Sequence, residues 1–222
     1  MKRAIFLVIV LGFFGTAVHS QNNSIGQSDP DAKKILDQVS KKIKGYKSIQ
    51  ANFSLKIEDA NSVSQGLKKG TVYMKGNKYK IVLTGQEIYC DGTTVWTYDK
   101  SSNEVTITKF DPSGNSQTPQ KIFTDFYDKD FLYKLNGEKK VGDKMLQEIE
   151  MTPVDKTKNF HKIYVYVDKA KQSVYSSKML DKNGTRYIYT ITSLVGNAPL
   201  PDDIFVFDKS KYPGVEEVDL RQ

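Results

Sequence analysis

Near the start of the chain the apolar positions follow a helical period. Ala32, Ile35, Leu36, Val39 and Ile43 recur three and four residues apart, with lysines and aspartates on the other face. Asp29 stands before Pro30 as an N-cap before a first-turn proline, and Gly45 supplies a stop. The pattern predicts one amphipathic helix of about four turns lying on something apolar. From Ser48 the period changes to two: Ala51, Phe53, Leu55 and Ile57 alternate with Asn52, Ser54, Lys56 and Glu58. That is a strand with one wet face. Further strands are predicted at 68–75, 78–84, 86–90, 93–99 and 103–109, divided by turns at Gly76-Asn77, Gly85, Asp91-Gly92 and Ser101-Ser102-Asn103. The spacing leaves no room for crossover helices, so the run reads as an antiparallel meander.

The meander breaks at a polar loop from Asp111 to Pro119 that carries two prolines. In the next stretch, 120–133, the bulky Ile122, Phe123, Phe126, Tyr127 and Phe131 are roughly helix-spaced and predict one or two short helices. Strands resume at about 137–142, 144–152, 161–168, 172–181, 184–195 and 204–208, with a hairpin turn at Asn183-Gly184. The fold class is therefore mainly β with helices (α+β), about eleven antiparallel strands in all. Such a sheet can flatten, split into two packed layers or curl. If it curls, Phe53, Leu55, Val72, Met74, Tyr79, Ile81, Leu83 and Trp96 are the candidates for the concave face. The helices would then either fill that face as ordinary core or cover an apolar pocket, and periodicity does not choose between them.

Composition narrows the possible functions. The chain has 222 residues, which suits one domain. Residues 1–20 read as a signal peptide: Lys2 and Arg3, then an apolar run from Ala4 to Val18, then a small-residue site before Gln21. Residues 21–29 read as a polar leader within a single domain over 21–222. Cleavage would leave an exported protein, with the net charge of +7 reduced by the two basic residues lost. One cysteine, Cys90, rules out an intrachain disulfide; with His19 and His161 scattered, no metal site and no cofactor are expected. Cys90 reads as a small buried hydrophobe, His161 as a solvated strand end, and Glu148 and Glu150 as one wet face. No glycine-rich phosphate loop, G-x-S-x-G or H-E-x-x-H is present. An enzyme is therefore not expected. The dispersed basic charge does not make a nucleic-acid stripe, although Lys41, Lys42, Lys44, Lys68 and Lys69 could steer the protein toward an anionic partner or membrane surface.

Three stretches carry a resemblance. The first joins Ile35-Leu36-Asp37-Gln38-Val39-Ser40 to Ser48-Ile49-Gln50-Ala51-Asn52-Phe53. The second runs Gly70-Thr71-Val72-Tyr73-Met74-Lys75, Tyr79-Lys80-Ile81 and then 89–99, where an Asp91-Gly92 turn leads into Trp96-Thr97-Tyr98. The third is Phe205-Val206-Phe207 with Pro213-Gly214-Val215-Glu216. In order and separation they resemble the periplasmic outer-membrane lipoprotein carriers, the LolA-like family. The resemblance implies an incomplete antiparallel β-barrel with a helical lid. It implies a soluble, monomeric periplasmic carrier that takes acylated lipoproteins from an inner-membrane lipoprotein-releasing transporter to an outer-membrane acceptor. On it, Leu36, and Val39 on the same helix face, would belong to the lid. Tyr79 and Ile81 would line the wall, and Ile122, Phe123 and Phe126 would fall on a second lid helix. Many members carry a lid-latching arginine where this chain has Gly76, so the resemblance leaves Lys75 as the candidate latch. A carrier of another amphiphile, such as a glycolipid or pigment, or a lipoprotein-sensing regulatory module, are the alternatives on the same fold.

Overall fold

The computed structural model describes residues 28–111 and 130–221. Helix α1 (Pro30–Lys44) is followed by β1 (Ile49–Glu58), β2 (Ser64–Lys75), β3 (Lys78–Leu83), β4 (Gln86–Cys90), β5 (Thr94–Asp99) and β6 (Glu104–Lys109). Then come β7 (Phe131–Val141), β8 (Lys144–Pro153), β9 (Phe160–Asp168), β10 (Ser173–Asp181), β11 (Arg186–Gly196) and β12 (Glu216–Asp219). Two short 3-10 helices, Asp202–Phe205 and Lys209–Lys211, lie between the last two strands.

All twelve strands belong to one sheet, in the order β12-β6-β5-β4-β3-β2-β1-β11-β10-β9-β8-β7. Two antiparallel meanders therefore flank β1, which pairs with β2 on one side and β11 on the other. Strands β12 and β7 are the two ends of that order, so the sheet is open.

Helix α1 buries Ala32, Ile35, Leu36, Val39 and Ile43 in the same cluster as Ile49, Ala51, Val72, Met74 and Tyr79, together with Ile149 and Val165 from the other meander. One residue sets where the helix begins. Asp29 Oδ1 accepts from the Asp31 and Ala32 amides at 2.9 and 3.4 Å, while Oδ2 accepts from the Leu135 amide at 3.0 Å. The Asp29 amide in turn donates to the Tyr133 carbonyl at 2.9 Å. A single aspartate thus caps the helix and satisfies part of the β7 edge, two sets of backbone groups that would otherwise lack partners.

The helix and most strands fall where the periodicity places them, with three differences. Residues 131–133, read as the end of a helical stretch, form the start of β7. Alternating Phe131 and Tyr133 are both buried, and such a short aromatic run fits either period. The predicted strand at 204–208 is instead a 3-10 turn and an irregular crossing. Its Phe-x-Phe alternation arises because the segment lies on a sheet face rather than adding to an edge. Strand β12 pairs in parallel with β6 and has too few apolar residues to show a pattern.

Candidate functional site

The register resolves one face of the central strands into successive rows. Gly196, Ile49, Met74, Tyr79, Cys90 and Val95 form the first, and Leu194, Ala51, Val72, Ile81, Ile88 and Thr97 the second. Ile191, Phe53, Gly70, Leu83 and Gln86 follow, then Tyr189, Leu55 and Lys68, then Tyr187, Ile57 and Gly66. Burial falls along this series. Ile49 is 5% exposed, Ala51 1% and Val72 4%, whereas Phe53, Leu55, Ile57, Ile81, Leu83 and Ile88 are only half-buried and Tyr189 is 38% exposed. The helix shares its cluster with the first rows and leaves the later ones as a half-covered apolar floor among the described residues. Gly70 lets Phe53 lie across this floor: a Cβ there would stand 2.7 Å from Phe53 Cζ and 2.8 Å from both Leu83 Cδ2 and the Val82 carbonyl oxygen.

Most of the residues expected in a cavity therefore share this face, in two grades. Leu36, Val39, Val72, Met74 and Tyr79 are buried core, while Phe53, Leu55, Ile81 and Leu83 are half-buried floor. Ile122, Phe123 and Phe126 lie outside the described residues. Tyr187, Tyr189 and Ile191 complete the floor on the β11 side and escaped the sequence reading. Their alternation is visible, but nothing local says that β11 returns to pair with β1.

Two expectations are corrected. Trp96 does not face the floor. Val95 packs against the main cluster, so the next residue points the other way, into a second cluster with Tyr98, Val105, Val215, Phe207 and Tyr212. Strand β5 is covered on both sides, which erased the polar alternation that would have told its faces apart. Lys75 likewise alternates away from Met74. Its Nζ lies 2.7 Å from Asp202 Oδ1 and 3.1 Å from the Leu200 carbonyl, and Lys78 holds the other Asp202 oxygen at 2.7 Å. These two ammonium groups hold the Asp202 carboxyl down to about 2. Lys75 thus fastens the C-terminal segment and is not a latch on α1.

That segment is a strap across the outer face of β3–β6. Its first 3-10 turn packs on β3, Phe205 is fully buried, and Phe207 meets Tyr89 edge-on with ring centroids 5.7 Å apart. Tyr89 and Tyr212 both donate to Glu87 Oε2, at 2.5 and 2.9 Å, and Lys100 reaches Oε1 at 3.0 Å. Burial raises the Glu87 carboxyl, but these hydrogen bonds outweigh it and leave the group below its ordinary value. A depressed carboxyl stabilises the fold above its unfolded value and loses that contribution as pH falls through the folded one. Acidification below the ordinary value of 4.5 is therefore expected to loosen the strap, read as a red shift of Trp96, the only tryptophan. Glu87→Gln should flatten that acid limb; an unchanged limb would remove Glu87 from the strap's anchorage.

Nothing among the described residues of the sheet assembles a nucleophile. Cys90 is fully buried, with its thiol pushed up chiefly by burial, and burial also raises the neighbouring Tyr79 phenol to about 12. Cys90 and exposed His161 sit at opposite ends of strands six places apart in the sheet, about 29 Å measured across it. Among the described residues no group of three His, Cys, Asp or Glu side chains could hold a metal.

Comparison with known proteins agrees with this architecture. Curated outer-membrane lipoprotein carrier proteins of Cupriavidus necator and Cupriavidus taiwanensis are each 28% identical over 183 residues, covering 79% of this chain and 84% of theirs. The crystal structure of an uncharacterized conserved protein from Thermus thermophilus shares the fold with a TM-score of 0.58 at 14% identity, over 85% of this chain and 99% of that one. Residues 44–208 match the family model described as outer membrane lipoprotein carrier protein LolA. A half-covered apolar floor in an open, mainly β sheet, with a family match running from the end of α1 to the strap, makes this chain a member of the LolA outer membrane lipoprotein carrier family.

Proposed function

We propose that the protein is an exported, periplasmic carrier whose half-covered floor shields the acyl chains of a lipoprotein between an inner-membrane donor and an outer-membrane acceptor. The observation that carries this reading is the fall in burial from Ala51 to Leu55 along one strand face. Side chains of a filled core are shut away from water, whereas Phe53, Leu55 and Ile57 on this face are only half-buried. Each methylene transferred from water to such a floor is worth about 0.8 kcal/mol, so a fourteen-carbon chain supplies roughly 10 kcal/mol before ordering costs. That suffices for capture without covalent chemistry. Release then needs only an acceptor that binds the same chains more tightly. Family membership and the lipoprotein-carrier names of the Cupriavidus relatives favour acylated protein over free lipid as cargo.

The test is mass spectrometry of whatever co-purifies with the protein recovered from the periplasm of the producing bacterium. Acylated lipoproteins, transferable to outer-membrane vesicles, are the expected result. Free lipid alone would make the protein a carrier of another amphiphile. A stable signalling partner with no transfer would make it a sensor.

A further inference from the structure

The outer face of the β7–β11 meander carries a second concavity, on the side away from the apolar floor. It is a groove of about 640 Å³ to which all six neighbouring strands from β1 to β7 contribute, including Glu58, Arg186, Lys178, Tyr164, Glu148 and Lys139. From this groove we infer a binding site for an acidic, extended segment of a partner protein. The inference goes beyond the carrier reading and would stand whatever the cargo is.

Charge pairing carries the argument. The carboxylates on this face already have partners within the protein. Glu58 is held by Lys56 at 2.7 Å and Glu150 by Lys162 at 2.5 Å, while Glu148 accepts from the neutral Asn136 amide at 3.1 Å. The cations lining the groove have no such satisfaction among the described residues. Lys178 Nζ rests 5.0 Å from the centre of the Tyr164 ring and Lys139 Nζ 5.1 Å from that of Tyr166. Arg186 spends its guanidinium on the Ser62 hydroxyl and the Ala60 carbonyl, both neutral. Three positive charges therefore line a groove that holds two carboxylates, Glu58 with its own lysine and Glu148 beside a neutral amide, and the excess positive charge favours an anion. The tyrosine faces hold the two ammonium groups in place by a weak attraction that a carboxylate can replace without leaving a buried charge behind.

Spacing and shape select the kind of anion. The groove runs across six strands, about 24 Å along the sheet, longer than any one small anion. An extended peptide advances about 3.3 Å per residue, so a segment of about six or seven residues would run its length. A flat membrane surface does not enter a groove.

Binding of fluorescein-labelled hexaglutamate to the exported chain tests the site by fluorescence anisotropy at low ionic strength. Hexaglutamine with the same label serves as the uncharged comparison. The expected result is saturable binding of hexaglutamate alone. Replacing both lysines (Lys139→Gln with Lys178→Gln) should weaken it about tenfold, and Lys139→Gln alone, at an exposed side chain that the fold does not need, about threefold. Lys34→Gln with Lys41→Gln, on the exposed face of α1, should leave it unchanged. Equal binding by wild type and Lys139→Gln, or equal binding of hexaglutamine, would overturn the assignment. So would full competition by inorganic phosphate, or attachment to phosphatidylglycerol vesicles through these lysines with no peptide binding.

Discussion

Leu83→Glu is expected to lower the affinity for an acyl-chain probe by more than a hundredfold while the protein still folds. Leu83 lies on the half-covered floor opposite Gly70 and Gln86, neither of which can neutralise a carboxylate. A bound chain would bury that charge without a partner, at a cost of about 3 kcal/mol or more. Unliganded, the same carboxylate is half in water and costs the fold little. The neighbouring Leu55 would be a poorer test, because Lys68 stands directly across from it on β2 and could pair with a glutamate. Leu36 would be poorer still. It is 2% exposed within the main cluster, so Leu36→Glu reports on folding and not on cargo. Titration with a fluorescent fatty acid, alongside a circular dichroism melt, separates the two effects. Unaltered capture by a folded Leu83→Glu protein would mean that the floor is not where acyl chains bind.

Phe205→Ala should destabilise the protein by about 3–5 kcal/mol, although this residue lies in a short irregular segment near the end of the chain. Its side chain is fully buried, and the strap that carries it is tied down on both sides, by Lys75 and Lys78 to Asp202 and by Tyr212 to Glu87. Removing the ring leaves a cavity that these surface ion pairs cannot close, since exposed pairs contribute little. Urea unfolding followed by Trp96 emission measures the loss, because Trp96 packs in the cluster beside Phe207 and Tyr212. Val206→Ala, at a side chain 42% exposed, should change stability by less than about 0.5 kcal/mol. A loss at Phe205 no larger than at Val206 would show the strap to be a loose tail, and the outer face of β3–β6 would then be stable uncovered.

Much of the half-barrel was legible because its signals are local. Asp29-Pro30 marked the helix start, and a period of two from Ser48 marked β1. The Gly76-Asn77 and Asn183-Gly184 turns bounded hairpins that the structure contains. The candidate floor was partly legible for the same reason, since Phe53, Leu55, Ile81 and Leu83 alternate with polar neighbours. Trp96 was misplaced because β5 is covered on both sides, and the FVF segment because burial against a sheet face imposes the same alternation as pairing at an edge. Lys75 was assigned a role by its position near the expected arginine, whereas the pleat turns it toward Asp202.

The amino-acid sequence by itself determined the elements, their order and which residues are oily on one side, because backbone propensity and periodicity act over a few residues. Only the tertiary structure decided that β11 pairs with β1, that α1 covers the upper rows and leaves the lower ones half bare, and that the C-terminal strap seals the opposite face. It also decided which lysines have no counter-charge among the described residues. These are long-range choices, made where solvent exclusion and charge pairing are settled between residues more than a hundred positions apart, and no local pattern encodes them.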